Sequence, residues 1–192
     1  LDHHAEQLFA AIEAALATTS RSKRDLSRIA CDVGPGSFTG VRVGVATAQG
    51  IAFALGIPCL GVGSLEAMAF AARGDEALAV LDAKKGEAFV ASFDASGAQV
   101  GDAEHVALAV VTRRIEEARA RGAAIVGEIA DALVAGSARR SEAADLPDAA
   151  AVAMLAGLET DPRRRPSAPV YVRPPDAKPM AVAPPRPDRP PV

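Results

Sequence analysis

One stretch decides the fold of this chain: residues 34–44, which read Gly34-Pro35-Gly36-Ser37-Phe38-Thr39-Gly40-Val41-Arg42-Val43-Gly44. Before it, residues 29–33 form a short apolar run that is typical of a buried strand. After it, residues 38–55 are rich in helix formers and contain no proline. The loop therefore lies at the carboxyl end of a strand that feeds a helix, which is where α/β folds place ligand sites.

The chemistry of this loop leaves two interpretations open. Gly34 and Gly36 permit positive φ and expose backbone amides, so the loop, with Ser37 and Thr39, is a candidate anion or nucleotide site. It matches no known phosphate fingerprint, because a P-loop lysine is missing and Thr39 stands where a dinucleotide loop has its third glycine. A tight turn followed by a helix that Ser37 or Thr39 caps explains the same residues.

Apolar periodicity and turn residues predict alternating helices and strands along the chain. Helices are predicted over residues 2–18, 38–55, 64–72, 110–121 and 147–158, the last starting at Asp145 or Pro147. Strands are predicted over residues 29–33, 57–62, 78–81, 88–93 and 123–126, with a further hairpin at 95–97. This order indicates an α/β fold with a first lobe over 1–75, a second over 76–160 and a proline- and arginine-rich segment over 161–192.

Composition narrows the class of protein. The net charge of −3 argues against a protein that grips nucleic acid by itself. Residues 161–192 hold seven basic residues, three acidic residues and eleven of the fourteen prolines, which favours a solvated extension over an RNA contact through Arg163–Arg165. No uncharged apolar run is long enough to predict a membrane span. Cys31 and Cys59 lack Cys-x-x-Cys spacing and fit small core residues in a reducing cytoplasm.

Residues 34–50 resemble the glycine signature of the bacterial TsaB (YeaZ) family. Further pieces agree in order: residues 4–8 resemble the family's first helix, 57–66 its next strand and helix, 81–87 the start of its second lobe, and 171–176 its terminal segment. The resemblance implies a two-lobe, actin-like ATPase (ribonuclease-H-like) α/β fold. Its first lobe would open with about three antiparallel strands that are absent from this chain, so we expect the natural protein to be longer.

The resemblance also implies a function. Family members bind and activate TsaD, the transferase that puts threonylcarbamoyl on an adenosine of tRNA. A TsaE-like ATPase joins the complex, and members contact tRNA only through that complex. Members pair through two helices, with themselves or with TsaD, and in the second helix small residues recur every four positions from Gly40 to Ala52. The alternative is that these small residues face the chain's own sheet. The predicted partner surface comprises His4, Gln7, Ala11, Gly40, Arg42, Gly44, Ala48 and Gln49.

Three alternatives to this assembly role stay open. A glycoprotease-like metallopeptidase would resemble TsaD, which carries a His-x-x-x-His metal motif on the corresponding helix, but here Leu8 stands four residues after His4. A nucleotide-binding ATPase would place ATP or ADP between the lobes, where Asp82 could orient a metal-bound phosphate; a charged β-turn with Lys84 and Lys85 explains the same residues. A homodimer that senses nucleotide is the third. We expect no catalytic residue and no metal site of the chain's own.

Overall fold

The computed structural model describes residues 2–127 and 146–172, with side chains from residue 7 onward. Its helices are α1 (Asp2–Thr18), α2 (Phe38–Leu55), α3 (Ser64–Ala69), α4 (Leu108–Ala120) and α5 (Ala149–Leu158). Its strands are β1 (Ile29–Asp32), β2 (Cys59–Val62), β3 (Ala77–Lys84), β4 (Glu87–Phe93), β5 (Gln99–Ala107) and β6 (Ala124–Val126). Single 3₁₀ turns cover Lys23–Asp25, Phe70–Ala72 and Pro162–Arg164.

The predicted elements are confirmed, and their ends differ where capping decides them. The predicted bounds of α1 and α2 are those observed. Helix α3 is shorter than predicted because its last turn tightens into the 3₁₀ turn Phe70–Ala72. The predicted start of α5 at Asp145 or Pro147 is wrong: Asp148 is its N-cap, and its carboxylate accepts from the Ala150 N–H at 3.1 Å.

A small parallel sheet carries the glycine loop. Strands β1 and β2 pair in parallel, with Ile29 opposite Cys59 and Asp32 opposite Val62. Helix α2 covers one face of this pair and helix α5 covers the other. Cys31 and Val33 pack with Val45 and Ala48 of α2, whereas Leu60 and Val62 pack with Val152 and Leu155 of α5. The loop therefore leaves the sheet between two helical layers.

The second sheet has the strand order β5-β4-β3-β6. The β5-β4-β3 part is antiparallel, and β6 pairs in parallel with β3. Alternate residues of β3 face opposite helices: Ala79 packs with Met68 of α3, and Val80 packs with Val111 of α4. Helix α3 precedes residue 75 but packs on this second sheet, whereas α5 follows residue 75 but packs on the first sheet. The predicted domain boundaries stay predictions.

Both cysteines are free thiols. Cys31 is buried in the α2 side of the first sheet, and that burial raises its pKa to about 12. A thiol with so high a pKa carries almost no thiolate at neutral pH, so it behaves as a small apolar side chain. The predicted core role of Cys31 is confirmed, and Cys59 packs partly buried against the same cluster.

Candidate docking face, glycine loop and strap

An internal carboxylate organises the glycine loop. Asp32, the last residue of β1, accepts hydrogen bonds from the Gly34 N–H at 2.7 Å and from the Ser64 hydroxyl at 2.6 Å. The Ser64 N–H in turn donates to the Gly34 carbonyl at 2.9 Å. Burial raises the pKa of Asp32, and the two hydrogen bonds oppose that rise. Asp32 was not among the predicted site residues, although its position at the end of a buried strand was a usable signal.

Two backbone amides of residues 34–44 already donate hydrogen bonds within the chain and are not open to an anion. The Gly34 amide is taken by Asp32, and the Gly40 amide donates to the Ser37 hydroxyl at 3.3 Å, which confirms the predicted Ser37 cap. Gly36 and Thr39 are exposed. In the described residues, Asp82 bonds to Lys84 and not to the loop, with its carboxylate 2.7 Å from the Lys84 amide and 2.6 Å from Lys84 Nζ. The nucleotide cleft stays a prediction.

The row of small residues predicted on α2 does not form one exposed ridge. Gly40 is exposed and Gly44 is half-buried, but Ala48 and Ala52 are buried in the core. The reason is helical geometry: residues four apart turn by about 40° per step, so the row drifts around the helix toward the sheet. The prediction that Ala48 faces a partner is therefore corrected, because Ala48 packs with Val45 against β1.

A different set of residues forms the outward face of α2. Ala46, Gly50 and Ala54 lie four apart and are exposed, and beside them Phe53 keeps 91% of its surface in solvent. We call Ala46, Gly50, Phe53 and Ala54 the docking face. A Cβ built on Gly50 meets nothing within 4 Å. Glycine inside a helix costs about 1 kcal/mol relative to alanine, and no contact among the described residues explains that cost at Gly50.

The apolar character of α2 is unusual for an exposed helix. Its eighteen residues have a mean hydropathy of 1.3 and carry one charge, Arg42, so by length and composition alone the helix would suit a membrane span. Val45, Ala48 and Ala52 nevertheless pack into the core, as in a helix that covers a sheet. Exposed apolar surface that continues along such a helix is typical of a protein contact.

Helix α1 has no buried residue from Gln7 to Thr18. Leu8, Ile12 and Leu16 are half-buried at a spacing of four, whereas Gln7 and Ala11 of the predicted partner surface are exposed. His4 lies in α1 but outside the residues whose side chains the structure describes.

The segment Arg165–Tyr171, which we call the strap, closes over the first sheet. Its first residue forms a two-pronged ion pair with Glu66, at 2.9 and 2.7 Å, and the Arg165 carbonyl accepts from the Gly61 N–H at 2.9 Å. The prediction of a solvated extension is therefore wrong for this part of the C-terminal segment. Arg165 is engaged with Glu66, whereas Arg163 is 93% exposed beside Asp161.

The strap then reaches the glycine loop and α2. The Val170 N–H donates to the Val33 carbonyl at 2.7 Å. Gln49 Nε2 donates to the Ser167 carbonyl at 2.6 Å. The Arg42 and Gln49 side chains, predicted to face a partner, are exposed and at the same time bonded to the strap, since Arg42 Nε donates to the Tyr171 hydroxyl at 2.7 Å. Sequence reasoning missed these contacts, which join residues more than a hundred positions apart.

Two glycines make room for the strap. Gly34 has φ +96°, and a Cβ there would lie 3.1 Å from the Val170 carbonyl oxygen. A Cβ on Gly61 would overlap the Pro166 carbonyl oxygen and lie 2.6 Å from Val33 Cγ1. Both positions therefore require glycine: Gly34 for its positive φ and its close approach to the strap, and Gly61 for its close approach to the strap and to Val33.

A further pair of titratable side chains lies across strands β4 and β5, where His105 Nε2 is 3.1 Å from Glu87 Oε2. Over residues 7–127 and 146–172, whose side chains the structure describes, no three His, Cys, Asp or Glu side chains are placed to hold a metal ion together.

Comparison with known proteins identifies the family that this chain resembles. The family model described as "TsaD: tRNA N6-adenosine threonylcarbamoyltransferase" matches residues 1–162. An uncharacterised protein of Mycobacterium bovis is 34% identical over 184 residues, covering 93% of this chain and 79% of that protein. The "tRNA threonylcarbamoyladenosine biosynthesis protein TsaB" of Escherichia coli is 36% identical over 94 residues, covering 47% of this chain and 41% of that protein.

Solved structures agree on the fold. The crystal structure of a Pseudomonas aeruginosa protein, described as similar to peptidase YeaZ, superposes with a TM-score of 0.70 at 26% identity. The match covers 88% of this chain and 84% of that chain. The predicted actin-like, ribonuclease-H-like α/β fold is thereby confirmed. On these matches, the chain belongs to the TsaB (YeaZ) family of tRNA threonylcarbamoyladenosine biosynthesis proteins, within the wider TsaD family.

Proposed function

We propose that this protein is a non-catalytic assembly and activating subunit of the cytoplasmic machinery that makes threonylcarbamoyladenosine in tRNA. It binds a TsaD-type threonylcarbamoyltransferase through α1 and the docking face of α2. A TsaE-type ATPase joins the complex, and the protein contacts tRNA only within that complex. In isolation the same surface pairs two copies of the chain. Family membership supports the pathway, and the geometry of α2 supports the mode of action.

The observation that carries the proposal is the docking face. Ala46, Gly50 and Ala54 give a row of small side chains on which a partner helix can approach closely, and Phe53 projects beside it with 91% of its surface exposed. Small residues along a row let two helix backbones come near each other, and a large exposed aromatic side chain is a typical interface anchor. An uncharged face of this kind gains free energy mainly when a partner removes it from water.

The rigid setting of α2 suits a subunit that selects one conformation of its partner. One side of the helix packs on β1, Ser37 caps its first turn, and Gln49 and Arg42 tie its flank to the strap. A preorganised face loses little conformational entropy on binding. If the docked face fits only the active arrangement of the transferase lobes, binding shifts the transferase population toward that arrangement and no chemistry is needed in this chain.

The test is a transfer assay with the TsaD-type enzyme, the TsaE-type ATPase, tRNA and a threonylcarbamoyl donor, with and without this protein. We expect modified tRNA to form rapidly only when the protein is present, and we expect Gly50→Leu, on the docking face, to reduce that activation. A Cβ built on Gly50 meets nothing within 4 Å, so the variant is expected to fold. Equal rates with and without the protein would contradict the proposal.

A further inference from the structure

A groove that the proposed function does not use lies where four segments of the chain meet. Its walls are the 3₁₀ turn after α3, the turn between β4 and β5, the C-terminal end of α5 and the start of the strap. The cavity has a volume of about 300 Å³, and an adjoining cavity of about 320 Å³ extends it past Arg164. We call this space the α5 groove. Its volume is at the lower end of the range for small-molecule sites.

The α5 groove is separate from the nucleotide cleft that the sequence predicts. Phe93, which lines the groove, pairs with Ala77 at the start of β3. Asp82, the residue predicted for the cleft, pairs with Ala88 at the other end of the same two strands. Five residues of an extended strand span about 17 Å, so a small ligand in one site does not reach the other.

Apolar side chains form one wall of the α5 groove. Phe70 and Leu155 pack into the core of the first sheet and line the groove with the surface that remains. Leu158, in the last turn of α5, lines the same wall and is 62% exposed. An apolar wall of this kind gains free energy when a ligand removes it from water.

Arg73 places an open positive charge beside this wall. Its guanidinium carbon lies 5.4 Å from the Phe70 ring centroid, and its Nε donates to the Ser96 carbonyl at 3.3 Å. Among the residues that the structure describes, no carboxylate lies within ion-pair distance of Arg73, so its terminal nitrogens are left for an acceptor from outside. Phosphate and carboxylate oxygens are the acceptors that a guanidinium binds most strongly.

The balance of charge in the α5 groove favours an anion over a cation. Both oxygens of the Glu66 carboxylate accept from Arg165, at 2.9 and 2.7 Å. The Glu159 carboxylate accepts from the Asp161 N–H at 2.9 Å. In total, three arginines and two glutamates line the two cavities, which leaves an excess of one positive charge.

The walls of the groove are fixed by contacts within the chain. The Asp94 carboxylate accepts from the Ser96 N–H at 2.9 Å and from the Ala98 N–H at 3.0 Å, which sets the turn between β4 and β5. Arg28 Nη1 donates to the Ala156 and Glu159 carbonyls at 3.0 and 3.1 Å, which holds the end of α5. A site that is already formed loses little conformational entropy when a ligand binds.

We propose that the α5 groove binds a small organic anion, whose phosphate or carboxylate group pairs with Arg73 and whose apolar body packs against Phe70 and Leu158. The charged group and the apolar body are both required, because the groove offers a matching surface to each. This inference goes beyond the proposed function and does not depend on it, since no residue of the docking face lines the groove.

The experiment titrates small probes into the isotopically labelled full chain and follows the backbone amide NMR signals of Gly97 and Ala98, which line the groove. The probes are phenyl phosphate and benzoate, and the comparison of the two decides between a phosphate and a carboxylate. Inorganic phosphate and benzyl alcohol are the matched controls, because each lacks one of the two parts. We expect at least one aromatic anion to shift both signals, and we expect each control probe to bind at least about 10-fold more weakly.

Variants of the lining residues test the assignment. Arg73→Ala should weaken binding of the aromatic anion at least about 10-fold, as is typical when a hydrogen bond to a charged group is lost. Leu158→Glu should weaken it as well, because it places a negative charge on the apolar wall. Both side chains are exposed, so both variants are expected to fold. Arg163→Ala, at a 93% exposed arginine outside the groove, is the matched control and should bind like the unmodified protein.

Three results would overturn the inference and leave the proposed function standing. The first is the absence of any shift at Gly97 and Ala98 with either aromatic anion up to about 10 mM, which corresponds to negligible affinity. The second is equal affinity of the aromatic anion for Arg73→Ala and Arg163→Ala. The third is binding of inorganic phosphate as tight as that of phenyl phosphate, because the apolar wall would then contribute nothing.

Discussion

Replacing Gly50 with leucine separates the stability of this chain from its docking. The residue lies in the exposed middle of α2, and a Cβ there meets nothing within 4 Å. Leucine is a good helix former, so Gly50→Leu should raise the free energy of unfolding by about 0.5–1 kcal/mol. For a chain of this size that corresponds to a rise of about 2–4 °C per kcal/mol in the melting temperature.

The same substitution should damage binding. A partner helix seated on Ala46, Gly50 and Ala54 would meet the leucine side chain, and overpacking of a close contact costs about 1–3 kcal/mol. The dissociation constant for the TsaD-type subunit should therefore rise about 5- to 150-fold. Thermal unfolding followed by circular dichroism measures the first effect, and isothermal titration calorimetry measures the second.

The matched control is Gly157→Leu on α5. Gly157 is also an exposed helical glycine with nothing within 4 Å of a built Cβ, but it lies on the opposite side of the β1–β2 sheet. We expect this variant to bind like the unmodified protein. A destabilised Gly50→Leu variant would show that the face is not open, and unchanged affinity in a folded Gly50→Leu variant would refute its role in docking.

Three further predictions concern the loop, the strap and a turn. Gly61→Ala should lower the free energy of unfolding by about 1–3 kcal/mol, because its Cβ overlaps the Pro166 carbonyl; Gly63→Ala, whose Cβ meets only ordinary contacts at 3.7 Å, is the control in the same urea titration. Asp32→Asn should gain stability relative to the unmodified protein as pH rises from 3.8 upward: burial raises the Asp32 pKa in the folded state, so ionisation of the carboxyl disfavours folding there. Thermal melts of both proteins at pH 4 and pH 7 test this direction. A difference in melting temperature, Asp32→Asn minus unmodified protein, that is smaller at pH 7 than at pH 4 would contradict it. Lys85→Asn should raise the melting temperature, because Lys85 has φ +57° in the turn before Gly86 and asparagine tolerates that conformation at a cost lower by about 1 kcal/mol; an unchanged or lower melting temperature would argue against strain at Lys85.

Local signals in the sequence were enough for most of the fold. The bounds of α2 follow from the Ser37 cap and from Gly56, which takes the left-handed conformation that ends the helix. The β3–β4 hairpin follows from the Lys85-Gly86 turn between two apolar runs. In each case the deciding interactions join residues within a few positions of one another, so periodicity and turn chemistry are sufficient to predict them.

The orientation of α2 could not be predicted in the same way. A helix with a single charge gives little contrast between its faces, and the four-residue spacing of small residues predicted an outward row from Gly40 to Ala52. In the structure that row passes from exposed Gly40 to buried Ala48, and a row that was not predicted, from Ala46 to Ala54, is exposed. Only the packing of Val45 and Ala48 on β1 decides between them.

The strap was beyond sequence reasoning for a different reason. Its contacts pair Arg165 with Glu66, Ser167 with Gln49 and Tyr171 with Arg42, over separations of 99, 118 and 129 residues. Neither proline content nor charge identifies such partners, and both suggested a solvated segment. The resemblance in residues 171–176 marked the segment as part of the family pattern without indicating what it touches.

The most direct test of the account is the mass of the species formed when this protein is mixed with a TsaD-type threonylcarbamoyltransferase subunit, measured by size exclusion with light scattering. The account predicts a one-to-one complex that replaces the self-dimer, and it predicts that Gly50→Leu abolishes this species at concentrations where Gly157→Leu retains it. Two separate peaks at the masses of the unmixed proteins would contradict the claim that the exposed face of α2 is a docking surface for that partner.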